Sequence, residues 1–288
     1  MPDRIPVQKT YKLVIGGQFP RTESGRYLEV RRDGRLIANV CRASRKDARD
    51  AVVAARKAFP EWSGRTAYNR GQILYRMAEV LEQRRAEFLH ELVLLGGAEQ
   101  EAEREVTASI DRLIWYAGWA DKLTAHFGSV NPVAMPYFNF TVPEPTGVVV
   151  LVAPAAPALL GLISLVAPAI VAGNTVVCVA SEEAPLPAVT WGEVLATSDL
   201  PGGVVNILTG LQPELLPPLA AHMDVNALVY AGGDPQLAAK AQVEGAANVK
   251  RVSVRTLEPG EYFTRQAQGP EWIEDALELK TAWHPMGV

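Results

Sequence analysis

Gly147-Val-Val-Val-Leu-Val-Ala153 opens a stretch in which an apolar run, an apolar helix and a second apolar run follow one another. The helix spans Leu159 to Val171, Gly173-Asn174 marks a turn, and Thr175-Val-Val-Cys-Val-Ala180 is the second run. Runs this short and this rich in valine read as strands buried on both faces. Two such strands joined by a helix lie parallel, because parallel neighbours need a crossover. The unit repeats downstream. Pro187 to Ser198 reads as a helix, Val204 to Leu208 as a strand, and Pro213 to Ala221 as a helix. Ala227 to Tyr230 is the next strand, Gln236 to Gly245 the next helix, and Arg251 to Arg255 the last strand of the series. This alternation predicts an α/β fold with a doubly wound, Rossmann-like parallel sheet over residues 147–258.

Upstream the pattern changes. Lys12-Leu-Val-Ile before Gly16-Gly17 and Arg26 to Val30 read as short strands. Ser44 followed by Asp47 predicts a capped helix carrying Ala48, Ala51, Val52, Ala55 and Phe59 on one face, stopped by Pro60. Residues 67–125 carry further helical stripes, so residues 1–125 form an N-terminal region of strands and helices packed on the sheet. Residues 126–146 mix prolines with β-formers and predict an exposed hairpin. After Pro259 the chain is polar until Leu277-Glu-Leu-Lys-Thr-Ala-Trp283, which alternates like a half-exposed strand, so 259–288 reads as a linker and a terminal strand.

Composition narrows the function classes. Hydrophobic residues make up 48% and charged residues 21%, the balance of a globular protein with enough apolar area to fold. A net charge of −4 gives no basic face for nucleic acid and no attraction to an acidic membrane. Prolines 154, 157 and 168 interrupt the longest apolar segment, which argues against a membrane span. Met1 to Pro6 lacks an apolar run, so a leader is not expected and the cytoplasm is the expected compartment. Cys41 and Cys178 are too few for a disulfide framework, and Cys178 reads as a core residue. The four histidines are scattered, and no metal site is expected.

Three segments in order carry a resemblance. They are Glu144-Pro-Thr-Gly-Val-Val-Val, Ala167-Pro-Ala-Ile-Val-Ala-Gly-Asn-Thr-Val-Val, and Leu200-Pro-Gly-Gly-Val-Val-Asn-Ile-Leu-Thr-Gly. With Ala43 to Trp62, they resemble the aldehyde dehydrogenase superfamily. The resemblance implies a cofactor-domain fold with a small β oligomerisation arm. In that family a cysteine thiolate attacks the aldehyde and amide donors hold the oxyanion. A glutamate is the general base, and a nicotinamide cofactor takes the hydride.

Several of those parts are replaced here. The family's oxyanion asparagine corresponds to Ala156, whose methyl group donates no hydrogen bond. Its ribose-holding lysine corresponds to Val179, while Glu182 survives. The turn near the pyrophosphate corresponds to Tyr230 to Pro235, keeping Gly232 with Gly233 beside it, and Asp234 there would repel phosphate. The base segment corresponds to Arg255 to Pro259, and an arginine is no base at neutral pH. Residues 256–276 are too short for the domain that holds the nucleophile in the family. Residues 279–284 look like the family's C-terminal arm strand.

These departures give three readings. The first is a non-catalytic subunit, similar in plan to the second half of the two-domain, family-16 type, with no catalytic residue of its own. It would bind a catalytic aldehyde dehydrogenase, or copies of itself, through residues 126–146 and 277–284. The others are an NAD(P)-dependent dehydrogenase and a nucleotide-binding module. Glu182, Gly232 and Gly233 remain as vestigial cofactor residues. No cofactor is expected, with NAD(P) weak at best. Beside these stand plainer readings: Glu182 as a helix cap, Gly232-Gly233 as a turn, and Lys250, Arg251 and Arg255 as surface charges.

Overall fold

A computed structural model describes residues 8–287, so the reading of Met1 to Pro6 lies outside the described residues. The chain begins with a hairpin of β1 (Tyr27–Arg32) and β2 (Arg35–Cys41). Four helices follow: α1 (Arg45–Ser63), α2 (Ala67–Gln83), α3 (Arg85–Leu94) and α4 (Glu99–Ala117). After the short α5 (Leu123–Phe127) come β3 (Ser129–Asn131) and β4 (Tyr137–Pro145).

The alternating half then runs β5 (Val148–Val152), α6 (Ala158–Val171), β6 (Thr175–Val179), α7 (Leu186–Ala196) and β7 (Val205–Leu208). It continues through α8 (Gln212–Ala220), β8 (Ala227–Tyr230), α9 (Pro235–Ala246) and β9 (Arg251–Val254). Two short 3-10 turns, α10 (Pro270–Glu274) and β10 (Leu277–Pro285) close the chain.

The five strands from β5 to β9 form one parallel sheet in the order β7-β6-β5-β8-β9. Alternation along each strand divides the interior into two cores. Val149, Leu151, Val176 and Cys178 face a core filled by α2, α4, α6 and α7. Val148, Val150, Val152, Val177 and Val179 face the other, filled by α1, α8 and α9. Every residue of α6 is buried, because it is covered by the sheet on one side and by other segments all round. Each buried leucine or isoleucine there contributes about 1.5–3 kcal/mol of transfer free energy. Two asparagines, Asn174 buried and Asn226 half-buried, fix the start of the central strand. Asn174 accepts from Gly147 N at 2.9 Å, and Asn226 accepts from Val148 N at 3.0 Å.

The structure departs from the sequence reading at several points. Ser44 and Asp47 do form a reciprocal capping box, but α1 runs through Pro60 to Ser63. Pro60 lacks only a donor, and Gly64 N still closes on its carbonyl at 3.2 Å. Residues 12–15 are not a strand. They make single bridges, Val14 to Ile207 and Ile15 to Gln18. Strand β2 is an addition to the sequence reading, and Asp33-Gly34 turns its hairpin with positive φ at both residues.

A separate antiparallel sheet has the order β10-β4-β3. Leu277 to Pro285 pair without interruption with Pro145 to Tyr137. Among the described residues, no helix is long and apolar enough to cross a membrane.

Candidate functional site

In open α/β sheets, ligands bind beyond the carboxyl ends of the strands where the strand order reverses. Here that point lies between β5 and β8, the first strands of the two series. The crevice is bridged by Gln212, the first residue of α8. Its Nε2 donates to the carbonyl of Ala153, just past β5, at 3.3 Å. Its Oε1 occupies the space that a Cβ on Gly232, just past β8, would need. A side chain at 232 would therefore displace Gln212. Gln212 and Tyr230 are both buried, and Asp234 N donates to the Tyr230 hydroxyl at 3.1 Å.

Glu182 follows β6, and its carboxylate accepts from Gln212 N at the start of α8. It thus caps a helix, where the dipole favours negative charge. Gly233 has φ +84°, the left-handed turn that glycine permits, and leads into α9. Asp234 is the N-cap of α9. Its Oδ1 accepts from Gln236 N at 2.8 Å and Leu237 N at 3.3 Å. Pro235 has no N–H to offer. The donors that a phosphate would use at this helix are already taken.

Ala156 is exposed in the loop between β5 and α6. Three residues on, Leu159 N at 2.7 Å and Leu160 N at 3.2 Å donate to the Glu105 carboxylate, which arrives from α4. Burial pushes the Glu105 carboxyl upward, and the two backbone donors offset only part of that. A carboxylate at the head of α6 disfavours any second negative charge forming there. The sequence offered no signal for this contact, since Glu105 sits among other acidic residues of an exposed-looking helix.

Arg255 follows β9 and is not simply a surface charge. Its Nε donates to Asp275 Oδ2 at 2.7 Å, a terminal nitrogen donates to Glu271 O at 2.9 Å, and the guanidinium lies 4.9 Å from the Trp272 ring. Lys250 is also buried, donating to the carbonyl of His222 at 3.0 Å. Residues 259–276 are not a bare linker either. Tyr262, Ala267, Trp272 and Ile273 are buried against the core that holds α6. Arg112 of α4 pins this segment by donating to Tyr262 O at 2.7 Å, to Ala267 O and to Ser164 Oγ. Burial pushes the Tyr262 hydroxyl up to about 12. Cys178 is fully buried in β6 with its thiol pushed upward by desolvation, so it holds its proton as a core residue.

Glu105 supplies a pH prediction. Its folded pKa is raised, so protonation favours the folded state. That stability is fully present below the unfolded value of about 4.3 and is lost as pH rises through the folded value. Glu105→Gln keeps an acceptor and removes the titration. The parent minus variant difference in urea midpoint should therefore fall between pH 5 and pH 7.5. Parallel profiles would show that Glu105 titrates as it does when unfolded.

The comparisons place this geometry. The aldehyde dehydrogenase family model matches residues 21–257. A mitochondrial benzaldehyde dehydrogenase of Antirrhinum majus is 34% identical over 260 residues, covering 88% of this chain and 48% of the relative. The NAD+ complex of aldehyde dehydrogenase from Bacillus cereus superposes with a TM-score of 0.81 at 27% identity, covering 86% of this chain and 51% of that one. PnpE in complex with nicotinamide adenine dinucleotide gives 0.82 at 29%, over 86% and 51%. The chain spans about half the length of the relatives it matches.

The expectation of no cofactor is corrected by these neighbours, two of which are NAD complexes of the same fold. It rested on Val179 and Asp234 taken singly, whereas 86% of this chain superposes on those NAD complexes. Glu182, Gln212 and Asp234 are the groups that would meet it. Each is already engaged in capping or bridging, so no chemical step through the cofactor follows from them. With the match running from the N-terminal hairpin through β9, and with the parallel sheet superposing on solved dehydrogenases, this chain belongs to the aldehyde dehydrogenase family.

Proposed function

We propose that this chain is a non-catalytic member of its family that works by assembling with a full-length aldehyde dehydrogenase. The observation that carries the reading is the free edge of β10. All nine residues of β10 pair with β4 on one side, and among the described residues no strand pairs with the other. Trp283 and Leu279 stand half-exposed on it, with Phe138 and Met135 nearby in the same sheet region. A free strand edge flanked by exposed apolar side chains accepts another chain. This chain closes its own core with residues 259–276, leaving the β10 sheet as the surface to be covered by a partner.

The absence of a catalytic role agrees with Ala156 in place of an oxyanion donor, with Glu105 at the head of α6, and with Arg255 tied to Asp275. Loss of a single oxyanion donor costs about 10²–10³ in rate. The purified chain is therefore expected to yield no NADH or NADPH from aldehydes, measured by absorbance with the cofactor in excess. Steady turnover by the chain alone, lost in a Cys41→Ala/Cys178→Ala variant, would make it an enzyme and sink the proposal.

A further inference from the structure

A cavity of about 690 Å³ lies between the start of α1 and the end of α8, sharing no residue with the carboxyl ends of the parallel strands. Its wall carries Arg26, Arg45, Lys46 and Arg49, against one lining carboxylate, Glu23. His222 also lines it. We propose that this cavity binds a small phosphoryl-bearing anion of two or more negative charges. The inference is independent of the assembly reading.

The charges lining the cavity are predominantly positive. Arg45, Lys46 and Arg49 sit in the first turns of α1, where the helix dipole disfavours cations. The one acidic residue of that turn, Asp47, is turned inward, accepting from Thr22 Oγ1 at 2.6 Å and Ser44 N at 2.7 Å. Among the described residues Arg45 has no carboxylate within 4.0 Å. Lys46 reaches Glu23 only at 4.0 Å, and Arg26 reaches Glu214 only at 3.9 Å. Glu214 is held by Arg42, and Arg49 meets its neighbour Asp50 at 3.3 Å. In a protein of net charge −4, four cations converging on one cavity are a local inversion.

His222 reports the same field. Desolvation lowers its pKa first, and Lys250, Arg49 and Arg56 lower it further, against Asp224. An anion in the cavity would reverse the cationic part of that effect. A volume of about 690 Å³ suits a ligand of nucleotide size.

The test titrates the whole chain with inorganic pyrophosphate at low ionic strength, following imidazole proton signals by NMR. His222→Asn identifies the His222 signals. Pyrophosphate should raise the His222 pKa by about one unit. An Arg45→Gln/Arg49→Gln variant, shown folded by circular dichroism, should need at least about tenfold more pyrophosphate for the same shift. A His222 titration that pyrophosphate leaves unmoved overturns the proposal, as does a double variant that responds like the parent. Single-stranded RNA that shifts His222 at lower phosphate concentration than pyrophosphate overturns the small-molecule assignment. Adenosine triphosphate and pyrophosphate acting alike would place recognition in the phosphoryl group.

Discussion

Arg112→Ala is expected to lower the stability of this protein by about 3 kcal/mol or more. The guanidinium is 2% exposed and makes no ion pair among the described residues. It donates instead to Ser164 Oγ on α6 and to the carbonyls of Tyr262 and Ala267 in the closing segment. Removing it strands those acceptors in the core, and each buried unsatisfied group costs about 1–3 kcal/mol. Arg112→Lys should rescue little, because an ammonium cannot fork between acceptors on two segments. Urea denaturation with an unchanged m value is the measurement. A loss below about 1 kcal/mol would mean that residues 259–276 are held by packing of Tyr262 and Trp272 alone.

The second large effect concerns assembly. Deleting residues 278–288 should abolish binding to an aldehyde dehydrogenase partner while the parallel-sheet domain stays folded. The cut is placed after Leu277 because Ala276 and Leu277 belong to the main core. The carbonyl of Ala276 also accepts from Asn174 Nδ2 at 2.8 Å, so a longer deletion would damage the start of β5 as well. The deletion exposes β4, so a point variant provides a control. Leu279→Glu/Trp283→Glu leaves the β4 pairing in place and puts two charges on the half-exposed apolar positions. Both variants should elute alone on size-exclusion chromatography. A deleted chain that still co-elutes with the partner would move the interface elsewhere.

What could be read from the sequence followed from how regular each burial pattern is. The strands from Val148 to Tyr230 announced themselves because both faces are buried, so apolar residues dominate between turn residues. The capped start of α1 was legible from Ser44 and Asp47 because the cap is a local contact. Residues 259–276 escaped because Tyr262, Ala267, Trp272 and Ile273 follow neither a helical nor a strand period. Their burial is dictated by α4 and α6, far away in the chain. Lys250 escaped for a related reason, since its stem is buried while its ammonium finds the carbonyl of His222. Glu105 at the head of α6, and Gln212 across the β5–β8 crevice, are long-range contacts that no local spacing encodes. The cofactor expectation failed because it weighed single substitutions, whereas 86% of the chain superposes on an NAD+ complex with a TM-score of 0.81.

We propose above that the β10 sheet of this chain is completed by a full-length aldehyde dehydrogenase. Its most direct test is native mass spectrometry of the chain, affinity-tagged at its N-terminus and purified from its source cells. The expected species is a complex containing this chain together with an identified full-length aldehyde dehydrogenase. The Leu279→Glu/Trp283→Glu chain should be recovered without that partner. Recovery of the parent chain only by itself, or only in copies of itself, would rule the heteromeric assembly out.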